Sequence, residues 1–147
     1  MKQKIQIRCK NNKKSQKVEI GSTLFDVFSS FDLKMTHGPV SARVNNKVEG
    51  MHYRVYNSKD VEFLDMNSAS GSRAYTRTLF FVLCKAVQDI YPNTDVVIDI
   101  PVSNGFYVDI RLGRPVVDED VNILRRRMQE IIDSKMPIRR FTVPTEV

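Results

Sequence analysis

The chain opens on an alternation of period two. Lys4-Ile-Gln-Ile-Arg8 sets apolar residues between polar ones, and Gln16-Lys-Val-Glu-Ile20 repeats the pattern, so both stretches read as half-buried strands. Asn11-Asn12 between them tolerates the positive φ of a tight turn, which predicts a hairpin. The period then lengthens. Leu24, Val27, Phe28 and Phe31 fall at i, i+3, i+4 and i+7 behind Gly21-Ser22, a single apolar helical stripe with Ser22 as its expected N-cap. After His37-Gly38-Pro39 come three short runs that read as strands: Val40–Val44, Tyr53–Tyr56 and Val61–Leu64. Two strands, a helix and further short strands predict a small mixed sheet with one helix across it, a β-grasp.

The character of the chain changes at Asn67-Ser-Ala-Ser-Gly-Ser72, six small or polar residues without charge, which reads as a linker. The expected organisation is therefore 1–66 as one domain, 67–72 as linker and 73–147 as a second, small α+β domain. That second part opens with a helix predicted from about Ser72 to Tyr91. Leu79, Val82, Leu83, Ala86, Val87 and Ile90 form its buried face, and Pro92-Asn93 ends it. Asp95–Ile100 and Phe106–Arg111 read as strands around Ser103-Asn104-Gly105, with Asn-Gly as the turn signal. Another helix starts near Asp118 as N-cap, with Val121, Leu124, Met128, Ile131 and Ile132 as its stripe and Arg125, Arg126 and Arg127 mostly outside it. Pro137 stops it, and Ile138–Val143 reads as a last strand. The fold class is α+β throughout.

Composition narrows the function. The 147 residues carry 23 Lys and Arg against 17 Asp and Glu, a net charge of +6, and 41% are apolar, which suits a folded chain rather than a disordered tail. No apolar run approaches the roughly 18–20 residues of a membrane span, and the charged start is not a signal peptide. Cys9 and Cys84 lie far apart without a partner at metal spacing, so a cytoplasmic protein with reduced thiols is expected. The charge is uneven. Residues 1–66 hold 12 basic and 7 acidic side chains, and the first 17 carry seven basic groups and no acid. The lysines among them, Lys10, Lys13, Lys14 and Lys17 above all, read two ways: as protection of an edge strand, or as a patch for phosphates.

Reactive groups that could converge are scarce. His37 and His52 have no second ligand at zinc spacing, and neither a P-loop nor a Gly-x-Ser-x-Gly occurs. Cys84 falls on the apolar side of a helix, while Cys9 sits among basic residues without a base nearby in sequence. Asp118-Glu-Asp120 reads as helix-start capping rather than a metal cluster. Arg125-Arg-Arg127 reads as a solvated face, with phosphate or an acidic partner as the alternative. Asn104-Gly-Phe-Tyr107 is either a plain hairpin or an aromatic platform for a base. No catalytic residue and no metal ligand is expected; the inventory is that of a binding module.

Two stretches resemble known families. Lys17-Val-Glu-Ile-Gly-Ser-Thr-Leu-Phe-Asp-Val27, Val40-Ser-Ala-Arg-Val-Asn-Asn-Lys-Val48 and Asp60-Val-Glu-Phe-Leu64 resemble a TGS domain, the ubiquitin-like β-grasp module of threonyl-tRNA synthetases, certain GTPases and stringent-response enzymes. Ala86-Val-Gln-Asp-Ile-Tyr-Pro92, Asn104-Gly-Phe-Tyr-Val-Asp109, Glu119-Asp-Val121 and Arg127-Met128 resemble the start of the editing domain that follows TGS in those synthetases. That domain carries a His-x-x-x-His pair; counted back from Pro92, the corresponding positions here are Arg77 and Phe81. The tandem also resembles the front of bacterial nucleoside (uridine) kinases, and the missing histidines make this the leading expectation. It implies a non-catalytic accessory or regulatory module that binds nucleotide or RNA, with ATP and Mg²⁺ used by a kinase domain beyond Val147. The sequence end has neither cap nor tail character and suggests a piece of a longer chain. The alternative is a tRNA-binding and editing fragment of a threonyl-tRNA synthetase. The candidate ligand residues are Lys10, Lys13, Lys14, Lys17, Arg77, Asn104, Phe106 and Tyr107, the last four around a relic pocket. RNA, tRNA or nucleotide are the expected partners, no membrane is, and a homo-oligomer stays open.

Overall fold

The computed structural model describes residues 3–139 together with Phe141, Val143 and Pro144. The chain divides into two compact units, the first running to Thr78 and the second starting at Leu79. In the first, β1 (Lys4–Cys9) and β2 (Ser15–Glu19) form the expected antiparallel hairpin. α1 (Leu24–Ser30) follows, then β3 (Ser41–Val44), β4 (Lys47–Gly50) and β5 (Lys59–Leu64). The sheet order is β2-β1-β5-β3-β4, with β1 and β5 parallel at the centre, which is the mixed β-grasp sheet the pattern predicts. Leu24, Val27 and Phe31 of the helical segment bury against Ile7, Cys9, Val18, Val44, Val61 and Phe63. Cys9 is wholly buried in this core, so it is a packing residue and not a reactive thiol.

Several local expectations are corrected. The positive φ of the first hairpin falls on Lys13 (60°), not on Asn11-Asn12. Asn11 has other work: its Oδ1 accepts from Phe63 N at 2.8 Å and its Nδ2 donates to Phe63 O at 3.0 Å, which clips the hairpin to the end of β5. The N-cap of α1 is Thr23 rather than Ser22. Its Oγ1 accepts from Asp26 N at 3.2 Å while Asp26 Oδ2 accepts from Thr23 N at 2.8 Å, a complete capping box. Tyr53–Tyr56 is no strand. Its backbone bonds go to the entry of α1, with Gly21 N donating to Val55 O and Leu24 N to Tyr53 O, and only the isolated bridge Thr23–Arg54 results. β4 had no alternating signal, because its one large apolar side chain, Val48, stays exposed at the sheet edge.

α2 (Ala69–Ile90) begins three residues before the expected start, so Ala69-Ser-Gly-Ser72 is helical, and the division between the units falls inside this helix. Ser68 caps it: its Oγ accepts from Gly71 N at 3.0 Å and donates to Asp65 O at 2.8 Å. Gly71 is demanded by space, since a Cβ there would lie 1.8 Å from the Asp65 carbonyl oxygen. In the second unit β6 (Val96–Val102) and β7 (Gly105–Ile110) pair antiparallel, with an irregularity between Ile98 and Pro101, and α3 (Asp118–Asp133) follows. The two-residue turn is Ser103-Asn104, with Ser103 at φ 53°, and Gly105 already belongs to β7. Val82, Ala86 and Val87 of α2 meet Leu124 and Ile131 of α3, with Val96 and Ile110 packed beside them. Ile138, Arg139, Phe141 and Val143 of the expected last strand have no regular structure, and Arg140 and Thr142 lie outside the described residues.

Two substitutions test this account. Gly71→Ala should destabilise the first unit by about 1–3 kcal/mol, because the methyl meets backbone that has nowhere to go. Thr23→Ala should cost about 1 kcal/mol, typical of a lost N-cap. Urea titration followed by circular dichroism checks both, and an unchanged midpoint for Gly71→Ala contradicts the close approach.

Candidate functional site

The candidate lysines sit where alternation and the turn place them. Lys10, Lys13 and Lys14 form the exposed tip of the first hairpin, and Lys17 lies on β2 opposite Gln6, exposed on the side of the sheet away from α1. That water-facing side also presents Lys4, Arg8 and Ser15, because each pairs across the hairpin in the same register. Asp60 of β5 lies beside Arg8. Farther along, Arg43 Nη1 and Glu62 Oε2 close an ion pair at 2.5 Å.

Among the described residues of this unit, two neighbouring hollows bear on the candidates. One of about 310 Å³ is lined by Gln6, Arg8, Ser15, Asn45, Ser58, Lys59 and Asp60. The other, about 480 Å³, is lined by Val44, Asn45, Asn46, Lys47, Glu49, Tyr53 and Lys59, so the two share Asn45 and Lys59. Their frame is well made. Asn45, at φ 53°, accepts from Asp60 N through Oδ1 at 3.1 Å and donates its own N–H to Asp60 O at 2.7 Å. Ser58 Oγ accepts from Gln6 N at 3.3 Å. Lys47 is paired with Glu49 at 3.0 Å, whereas among the described residues Arg8 and Lys59 have no ion-pair partner. Sequence reasoning did not group these residues. The alternation of the hairpin places Arg8 beside Gln6, but the parallel pairing that brings in Lys59 and Asp60 joins positions more than fifty residues apart.

The remaining candidates fall on both units. Arg77 is exposed on α2 within the first unit, and Phe81, at the second position of the expected histidine pair, is 65% exposed within the second. Phe106 meets the Phe80 ring edge-on with centroids 5.0 Å apart and stays 45% exposed. Tyr107 lies on the opposite face of β7 and is exposed, as is Asn104 in the turn. The stripe expected on α3 is split. Leu124 and Ile131 are buried, but Val121 and Ile132 line an open apolar groove of about 560 Å³ with Leu83, Val108, Val116 and Met128. Arg125 lies at this groove, and Arg127 is not a free surface charge: it donates to Asp89 at 2.8 Å and to Glu130 at 2.8 Å, tying α3 to α2. Asp89, also bonded by Lys85, is thereby held below its ordinary carboxyl range.

The acidic start of α3 is structural. N-cap Val117 precedes Asp118, and Asp120 reaches back to accept from Val117 N at 3.0 Å. Its carboxylate, 5% exposed, takes both guanidinium nitrogens of Arg114 at 2.7 Å and the Tyr91 hydroxyl at 2.6 Å. The Arg114 and Tyr91 hydrogen bonds hold Asp120 far below 3.8, and donation to Asp120 raises Tyr91 above 10.0.

No family model matches the chain. Curated relatives do. It is similar to the threonine–tRNA ligase of Natranaerobius thermophilus, 29% identical over 125 residues, which are 85% of this chain and 20% of the relative. The threonine–tRNA ligase of Acetivibrio thermocellus is 29% identical over 126 residues, 86% of this chain and 20% of the relative. That of Clostridium kluyveri is 26% identical over 142 residues, 97% of this chain and 22% of the relative. The chain thus spans about a fifth of the length of these relatives.

The linkage signs give two arms for the second unit. Stability from Asp120 is complete above about pH 4 and falls as acid protonates it. Stability from Tyr91 is complete below about pH 10 and falls as base ionises it. Tyr91→Phe should abolish the alkaline arm and keep the acid one, and Asp120→Asn should flatten the alkaline arm and shrink the acid one to the part Asp89 supplies, while lowering the melting temperature at pH 7. Melting curves from pH 2 to 11 read this directly. Wild-type arms surviving in Asp120→Asn would contradict the assignment.

Similarity to about a fifth of the length of threonine–tRNA ligases is the relationship the comparisons establish.

Proposed function

We propose that this chain is a tRNA-binding module of the kind found at the front of threonine–tRNA ligases, without hydrolytic chemistry of its own. The observation that carries this reading is similarity to those ligases along 85–97% of the chain. The exposed lysines of the hairpin support it, because a tip bearing Lys10, Lys13 and Lys14 attracts a phosphate backbone at long range. Arg77 and Phe81 support the second half of the reading. A guanidinium has donors and no acceptor, and a phenyl ring has neither, so neither replaces a histidine in ester hydrolysis. The relatives named above are ligases, so the synthetase-like reading is preferred here over a nucleoside-kinase accessory module with its ATP and Mg²⁺.

Binding of labelled tRNA at about 50 and 200 mM salt tests this. If six to ten phosphates are contacted, affinity should fall by roughly 10³–10⁵ over that range. Lys13→Ala with Lys14→Ala should weaken RNA and DNA alike, since point charges at a hairpin tip read no sugar. Seryl-tRNA mixed with the chain should lose its serine no faster than in buffer. Absence of tRNA binding at the lower salt contradicts the reading, and rapid deacylation contradicts its non-hydrolytic part.

A further inference from the structure

We infer that the smaller hollow on the water-facing side of the first sheet holds one ribonucleotide of a bound RNA strand, with phosphate against Arg8 and Lys59 and the ribose 2′-hydroxyl against Asp60. The inference rests on the tRNA-binding reading and gives it a place and a sugar preference. The hollow is concave, whereas the lysine tip is a projecting turn, and its volume of about 310 Å³ matches the lower end of small-ligand sites, enough for one nucleotide unit and not for a duplex.

Its chemistry is mixed in the way a nucleotide is mixed. Arg8 lines the hollow from the wet face and Lys59 from the rim it shares with the second hollow; among the described residues neither has an ion-pair partner, so phosphate binding breaks no existing pair. Asp60 brings a carboxylate to the same hollow without closing an ion pair with either cation. A pure anion site has no use for a carboxylate, which repels phosphate. A hydroxyl donating to it makes a charge-assisted hydrogen bond, and the 2′-hydroxyl is the donor that separates RNA from DNA. Asn45 adds an amide group whose Oδ1 is already engaged by Asp60 N, leaving Nδ2 to donate to sugar or phosphate oxygen. The floor is fixed by the backbone: Asn45 and Asp60 hold each other, and Gln6 N is tied to Ser58 Oγ. A site of this kind is ordered before the ligand arrives, which lowers the entropic cost of binding.

Fluorescence anisotropy with the full 147-residue chain, a labelled single-stranded oligoribonucleotide and its deoxy counterpart tests the inference, with tRNA measured in parallel. Wild type should prefer RNA over DNA by about tenfold, the worth of one charge-assisted hydrogen bond at an open site. Arg8→Gln with Lys59→Gln should weaken RNA binding at least tenfold and shallow the salt slope by about 0.7 for each phosphate no longer neutralised. Lys59→Arg should retain binding, and Asp60→Asn should shrink the RNA preference. Circular dichroism on each variant verifies that the fold is kept. If wild type binds tRNA but Arg8→Gln/Lys59→Gln binds like it, or if DNA binds as well as RNA, the inference falls while the tRNA reading stands. If wild type binds no tRNA, both fall.

Discussion

A five-stranded sheet covered by a single helix has one dry side and one wet side, and the first unit is organised by that division. α1 and the segments around it fill the dry side through Leu24, Val27 and Phe31. Every second residue of β1 and β2 must then face water, which is why Lys4, Gln6, Arg8, Ser15 and Lys17 share one surface. The parallel pairing of β1 with β5 sets Asp60 beside Arg8, while Lys59, opposite the buried Ile7, stands at the rim the two hollows share. Charged residues distant in sequence thus meet as a consequence of the sheet order, and the concavity between them is the part of this unit best suited to a ligand.

The second unit depends on a different constraint, a buried carboxylate that must be satisfied. Asp120 accepts from Arg114, Tyr91 and Val117 N, so it joins the end of α2, the loop before α3 and the first turn of α3. Removing one donor leaves a desolvated charge, and this network is more exacting than ordinary surface pairing. Arg127 and Asp89 add a second tie between the same helices. These polar ties add to the apolar contact of Val82, Ala86 and Val87 with Leu124 and Ile131, and the groove beside Val121 and Ile132 stays open.

Much of the architecture was readable because it is local. The period-two hairpin, the stripe Leu24–Phe31 and the long apolar face of α2 are set by neighbours within a few residues, and the structure has all three. Misreadings came where a distant partner decides. Asn11 reads as a turn residue, but it is spent on Phe63. Tyr53–Tyr56 looks like a strand, but the entry of α1 takes its backbone bonds. Arg127 looks solvated because Asp89 lies 38 residues away. The lysine tip was legible as a charge run. The hollow with Arg8, Lys59 and Asp60 was not, since no spacing along the chain records a parallel pairing.

The central claim is that RNA meets this chain on the wet side of the first sheet. Amide chemical-shift mapping with an unlabelled oligoribonucleotide added to the isotope-labelled chain tests it most directly. The account predicts shifts concentrated at Gln6–Arg8, Asn45 and Ser58–Asp60, with smaller ones at the lysine tip. Shifts confined to the second unit, or none at RNA concentrations that saturate the anisotropy signal, would contradict it.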